Sequence, residues 1–415
     1  MGAIIAAESQ AVGLNWVLAP VVDVNNNPDN PVINVRAFAE TPELVSQLTT
    51  AFIQGAQSYP VLTTAKHFPG HGDTAVDSHL DLPVLSHSPE RLRQVELPPF
   101  AQAIAAGVDT VMSAHLLIPA LDPTYPATLS PPILTGCLRQ QLGFTGLIVT
   151  DALVMGAISH RYGADEAAVL ALEAGADILL MPPDPAGVIE AVCAAVKQGR
   201  LTPERILASV ERVWRAKTKV FTPPTSDFDQ AHDWEQIPPL PLQLTHLARP
   251  ESWAIAAEIL QDSRQVQPAP QPLQRSPEIP LRNLVIVDSL LACEYLGNHA
   301  PAISLPHQRG YQLQVVDNHT PEVPLTLEWQ PRVLTLLQLF IRGNPFRGSA
   351  GLTERASAWF EFLVQTQQLQ ALVIYGSPYT LQQFLPTLPV GIPYVFTYGQ
   401  MPLAQADALQ AILPR

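Results

Sequence analysis

The sequence predicts an α/β protein: a TIM-type (β/α)8 barrel domain over residues 1–222, then a second α/β domain over 251–415. Three observations point there. Short, continuous apolar runs alternate with amphipathic stretches, as parallel strands buried on both faces and joined by crossover helices require. Residues able to do chemistry stand at the C-terminal ends of several of those runs. A proline-rich stretch at 223–250 divides two such regions and reads as a linker, because proline stiffens the chain and breaks regular structure.

In the first region the candidate strands are Trp16–Val24, Val61–Lys66, Val108–His115, Gly146–Asp151 and Asp177–Met181. Helices fall between them. Thr41-Pro42, Ser88-Pro89 and Ser130-Pro131 each put a capping hydroxyl before a proline at the first helical position. Gly107 and Gly143 stand where helices should stop. A barrel and a doubly wound sheet both satisfy this alternation. Asp23, Lys66-His67, His115 and Asp151 tip the choice, since they end four separate strands, and in a barrel those ends converge on one mouth.

The second region offers strands at Asn283–Asp288, Tyr311–Val316, Val333–Phe340, Ala371–Tyr375 and Pro393–Thr397, with helices at Ser252–Gln261, Thr353–Gln367 and Ser377–Leu388. These describe an open sheet. A further proline-rich stretch covers Gln267–Pro280. Asp288, Asp317 and His319 lie near strand ends and are read as surface or capping groups.

Composition limits the function. With 47% hydrophobic and 14% charged residues among 415, the chain is built to fold. A net charge of −14 argues against nucleic acid as partner, since phosphate binding needs clustered Lys and Arg. Cys137, Cys193 and Cys293 have no metal or disulfide spacing and read as reduced. No run approaches the ~18 apolar residues of a membrane helix. The opening MGAIIAAESQAVG lacks a basic leader and reads as a helix, so the expectation is a cytoplasmic protein, with a signal lost along with a missing front segment as the alternative; a monomer is expected.

The chemistry concentrates in KHFPGHGDTAVDSH, Lys66 to His79, which holds three histidines, two aspartates and a lysine after a strand. Its polarity predicts an exposed functional loop. Asp77 and His79, two apart, can form a carboxylate–imidazole pair in which the carboxylate orients a proton carrier. Taken alone, that spacing is a weak signal. Asp151, after GLIVT, is either a nucleophile at the barrel mouth or a cap for the next helix.

KHFPGHGDTAVDSH, VMSAHLLIPALD and LGFTGLIVTDALVMGAI, in that order, resemble consecutive segments of glycoside hydrolase family 3, and within it the β-N-acetylglucosaminidases of the NagZ type. LNWVLAPVVDVNNNPDNPVINVRAF and EAGADILLMPPD are similar to segments before and after them. The resemblance implies retaining hydrolysis of terminal β-linked N-acetylglucosamine through a covalent glycosyl-enzyme. It assigns Asp151 as nucleophile, His79 as acid/base with Asp77 as partner, and Arg36, Lys66 and His67 to sugar binding. Asp23 and His115 are supporting candidates. The implied substrate is a small carbohydrate: an N-acetylglucosaminide, a peptidoglycan-derived muropeptide or a chitooligosaccharide. No cofactor or metal is called for. Retaining glycosidases place their two groups about 5 Å apart, and a His–Asp pair avoids a second fixed negative charge beside the nucleophile.

The sequence also departs from the family. The family's barrel begins earlier, with a DQEGG-type motif that nothing here matches, and 222 residues fall short of the ~250 of a typical TIM barrel. The expectation is therefore a barrel lacking its first units, with two exposed sheet edges and part of the sugar pocket missing. The rivals are a degenerate homologue that binds sugar without cleaving it, and a metal-dependent hydrolase using His67, His71, Asp77, His79, His115 and Asp151 as ligands.

Overall fold

The computed structural model describes residues 1–221, 241–268, 273, 278–291, 293–321, 325, 332–341 and 353–413. The chain divides into two compact units, the first Met1–Ser252, the second from Trp253 on. Residues 223–240 of the expected linker lie outside the described residues, as does much of the Gln267–Pro280 stretch. Residues 241–252 belong to the first unit, where Gln243 N–H donates to Ala11 O and Ala248 N–H to Glu8.

The first unit is built on three parallel strands, β1 (Thr64–Phe68), β2 (Thr110–Ser113) and β3 (Leu147–Val149), adjacent in that order. Trp16 and Val21 bridge in parallel to Leu62 and Lys66 on one side, and Val149 to Ile178 on the other. Five parallel segments thus stand side by side in chain order. A doubly wound sheet would reverse its order at a switch point, so the sequential order is that of a barrel wall.

Two of the five expected strands form only isolated bridges. In Trp16–Val24, Pro20 has no N–H to give a ladder, and Asp177–Met181 runs into Pro182 and Pro183. The strand expected at Val61–Lys66 sits later, at Thr64–Phe68, which puts Lys66 and His67 inside β1.

Between the strands run helices Pro42–Ala56, Leu97–Ala105, Pro132–Gln141 and Ala164–Ala174. Ser88 Oγ and Ser130 Oγ accept the N–H groups of Arg91 and Ile133, both at 3.2 Å, as capping residues do. Thr41 makes no such bond. Gly107 and Gly143 take φ of +82° and +69° after their helices, a conformation glycine adopts without strain. Val22, Ala65, Val111 and Ile148 from the strands pack with Ile53, Phe100, Leu134 and Ala171 from the helices in one core.

The second unit is a six-stranded sheet. Its members are β4 (Gln265–Gln267), β5 (Leu281–Val287), β6 (Gln312–Val316), β7 (Leu334–Ile341), β8 (Leu369–Gly376) and β9 (Tyr394–Thr397). The order is β4-β9-β8-β7-β5-β6, parallel except for the edge strand β4. Alternation along β5 sends Leu284 and Ile286 to one core, and Val285 and Val287 to another. All five expected strands are present; the short exposed β4 carried no apolar signal. Asp317 accepts from Thr320, and Asp288 from Asn318, so both serve turns.

Candidate active site

The site lies where the parallel segments of the first unit end. Asp23 follows the first segment, Lys66 and His67 belong to β1, and His115 and Asp151 stand two residues past β2 and β3.

Asp23 is fully buried and organises the loop after β1. Its Oδ1 accepts the N–H groups of His67 (3.1 Å) and His71 (2.7 Å), and its Oδ2 lies 2.8 Å from His67 Nδ1. Burial alone would push the Asp23 carboxyl up. Attraction and hydrogen bonding from His67 and His71 outweigh it and hold the carboxyl below its ordinary value. From the other side, Asn30 Nδ2 donates to His71 O (2.8 Å) and Gly72 O (2.9 Å), while Asn30 Oδ1 accepts from Val32 and Ile33. Gly72 passes so close to the first segment that a Cβ there would lie 1.8 Å from Val24 O.

These contacts correct the expectation of an exposed loop. His67 through Gly72, Thr74, Asp77 and Ser78 are buried, and only Ala75, Val76 and Leu80 stand out. Polar residues can be buried here because they satisfy one another. His71 places Nδ1 2.8 Å from Thr74 Oγ1 and Nε2 2.9 Å from Ser78 Oγ, and burial pushes its pKa down to about 4.

The loop ends in the pair the sequence proposed. Asp77 Oδ1 lies 2.7 Å from His79 Nδ1 and also accepts the His79 N–H at 2.9 Å. The Asp77 side chain is buried, whereas His79 keeps 19% of its side chain exposed. With Nδ1 held by a buried carboxylate, Nε2 is the ring nitrogen that a proton-transfer role would use.

Asp151 is partly exposed, and the Ala152 N–H donates to its Oδ1 at 2.8 Å. Burial would raise its pKa; His67, His115, the Ala152 N–H and Lys66 outweigh burial and keep it ionised. It is not the side-chain cap of the following helix, Gly156–Tyr162. His115 is buried between Thr128 Oγ1 (2.8 Å from Nδ1) and the Ala152 carbonyl (3.0 Å from Nε2). A carbonyl can only accept, so Nε2 carries a proton, and burial lowers the pKa of the ring. Asp151 and His79 both act electrostatically on His115, Asp151 favouring its charged form and His79 opposing it.

Lys66 has its pKa lowered by burial and by Arg36, while Asp151 and Asp23 pull it back up. Its charge is thus opposed by the Arg36 guanidinium and favoured by both carboxylates. Arg36 is fixed by donating to Val32 O at 3.0 Å. His67, one of the expected sugar ligands, is buried against Asp23. Asn30 and Thr128 were not singled out in the sequence. Asn30 lies in the polar run NNNPDN, the one signal that could have marked it.

The metal-ligand rival finds no support in the arrangement. Both ring nitrogens of His71 and of His115 and one of His67 and His79 are already engaged. Among the described residues no three such side chains converge as a metal site.

Comparison with known proteins agrees with this layout. Residues 1–216 match the glycosyl hydrolase family 3 N-terminal domain, and residues 274–414 the bacterial family 3 C-terminal domain. The chain is similar to beta-hexosaminidase A of Pseudoalteromonas piscicida, with 39% identity over 237 residues, covering 52% of this chain and 40% of that protein. It is 41% identical over 179 residues to a beta-hexosaminidase of Stenotrophomonas maltophilia, covering 43% and 52%. The chain thus spans about half the length or less of these curated relatives. A family 3 beta-N-acetylglucosaminidase structure from Paenibacillus sp. str. FPU-7 superposes with a TM-score of 0.78 at 32% identity, covering 99% of this chain and 77% of that one. The N-terminal match alone takes in more than half of the sequence, and the chain belongs to glycosyl hydrolase family 3.

Proposed function

We propose that the chain is a retaining β-N-acetylglucosaminidase that removes terminal β-linked N-acetylglucosamine from peptidoglycan-derived sugars. The observation that carries the reading is the Asp77–His79 pair at 2.7 Å, together with Asp151 two residues past β3, its carboxyl held below its ordinary value by His67, His115, the Ala152 N–H and Lys66. A retaining glycosidase needs one group to attack the anomeric carbon and another to move a proton. Asp151 attacks and forms a glycosyl-enzyme while His79 Nε2–H protonates the leaving oxygen. His79 then deprotonates the water that releases the sugar, and regains its proton.

Lys66 and Arg36 supply donors for sugar hydroxyls or the acetamido carbonyl. His67, its ring oriented by Asp23 through Nδ1, is the third sugar-binding residue of this reading. The hexosaminidase names of the relatives support the N-acetyl sugar. The peptidoglycan origin is our narrower choice over chitooligosaccharides.

The test is turnover of a chromogenic β-N-acetylglucosaminide by the full chain beside Asp151→Ala. Turnover lost in the variant supports the reading. No turnover from folded wild-type protein favours a sugar-binding homologue without catalysis.

A further inference from the structure

Residues Asp77–Asp81 form a closed turn, with the N–H groups of Leu80 and Asp81 both donating to Asp77 O at 3.0 and 3.1 Å. The turn leaves the His79 carbonyl pointing outward, where it accepts the N–H of Gly156 at 3.1 Å. Gly156 opens the helix Gly156–Tyr162, five residues after Asp151. A Cβ on Gly156 would lie 2.8 Å from Leu80 O and 2.9 Å from His79 O, both backbone atoms that cannot swing aside. Close approach, not a left-handed conformation, calls for glycine here. At the other end of the helix, Arg161 pairs with Asp81 at 2.9 Å, an exposed contact of small energy that fixes direction.

We propose that Gly156 is a positioning residue for the acid/base. Its N–H and its missing side chain hold the backbone of His79 against the helix that follows Asp151, so that imidazole and nucleophile keep one geometry. Asp77 fixes the ring within the turn, and Gly156 fixes the turn relative to Asp151. This inference rests on the roles proposed above for His79 and Asp151. A shift of about 1 Å in a reacting group can cost about 100-fold in rate.

The experiment compares wild type with Gly156→Ala in kcat/KM, which reports the glycosylation step, on two substrates. A 4-nitrophenyl N-acetyl-β-glucosaminide has an aglycone that leaves without protonation, whereas the methyl glycoside needs the acid. We expect losses of about 100-fold or more on the methyl glycoside and about tenfold or less on the 4-nitrophenyl one. Equal losses on both overturn the proposal, because a general loosening of the fold would not depend on the leaving group.

A second measurement uses wild type alone and stands if the variant fails to fold. A first-turn helix N–H has no partner within its helix and exchanges quickly. Slow amide exchange at Gly156 supports the bond to His79 O, and fast exchange overturns it. If wild type cleaves neither substrate, the functional reading fails on that result, and Gly156 exchange still decides the contact.

Discussion

One carboxylate oxygen, Asp77 Oδ1, holds both the ring Nδ1 and the backbone N–H of His79, at 2.7 and 2.9 Å. One buried group therefore acts on both the orientation of the ring and the main chain that carries it. Asp77→Ala should reduce kcat on an unactivated glycoside by about 100-fold or more, with KM changed only a few-fold. Steady-state kinetics on methyl N-acetyl-β-glucosaminide check this. A rise in KM at constant kcat would instead make Asp77 a substrate-binding residue.

Asp23 carries the heavier structural burden. It is fully buried and accepts two backbone N–H groups beside the His67 ring. Asp23→Ala leaves those donors unpaired and should cost about 3–5 kcal/mol, a fall of roughly 10 °C in Tm for the first unit. Thermal unfolding followed by circular dichroism measures it.

His71 and His115 are buried with lowered pKa values, about 4 for His71. Unfolding returns each ring to about 6.5, so the unfolded chain binds more protons between those values. Both contributions are complete above about pH 6.5 and are lost as pH falls below it, that of His71 as pH nears 4. For His71 it amounts to about 3 kcal/mol at most. Urea unfolding of wild type across that window should show stability falling with acid, and His71→Gln should be less stable at pH 7 with a shallower slope.

Lys66 lies within the influence of Arg36, Asp151 and Asp23. Lys66→Met removes a cation beside the nucleophile and a donor for the sugar. The expected result is a tenfold or larger rise in KM together with a fall in kcat, since charge stabilisation and sugar binding are both lost. Binding of N-acetylglucosamine by calorimetry should weaken in parallel.

Much of this was legible in the sequence because the signals were local. A two-residue spacing brings Asp77 to His79, and apolar runs gave every strand of the second unit except β4, whose Gln-Val-Gln has no pattern to read. The error over the Lys66–His79 loop has a physical origin. Composition says polar, and polar usually means exposed, but Asp23 and Asn30, more than forty residues away, satisfy its backbone and bury it. Long-range partnerships of that kind leave no periodic trace. The bridge-only segments differ for the opposite reason: their apolar content is plain in the sequence, but Pro20 in one and Pro182-Pro183 after the other stop a ladder from extending.

The central claim is that Asp151 forms a covalent bond to the sugar while His79 moves the proton. The most direct measurement incubates His79→Ala, in which release of the sugar should be slow, with 4-nitrophenyl N-acetyl-β-glucosaminide, then quenches, digests and weighs the peptides. We expect an N-acetylglucosaminyl adduct on the peptide containing Asp151, absent when Asp151 is also replaced by alanine. An adduct on another residue, or turnover with no adduct and an inverted anomeric product, would contradict the account.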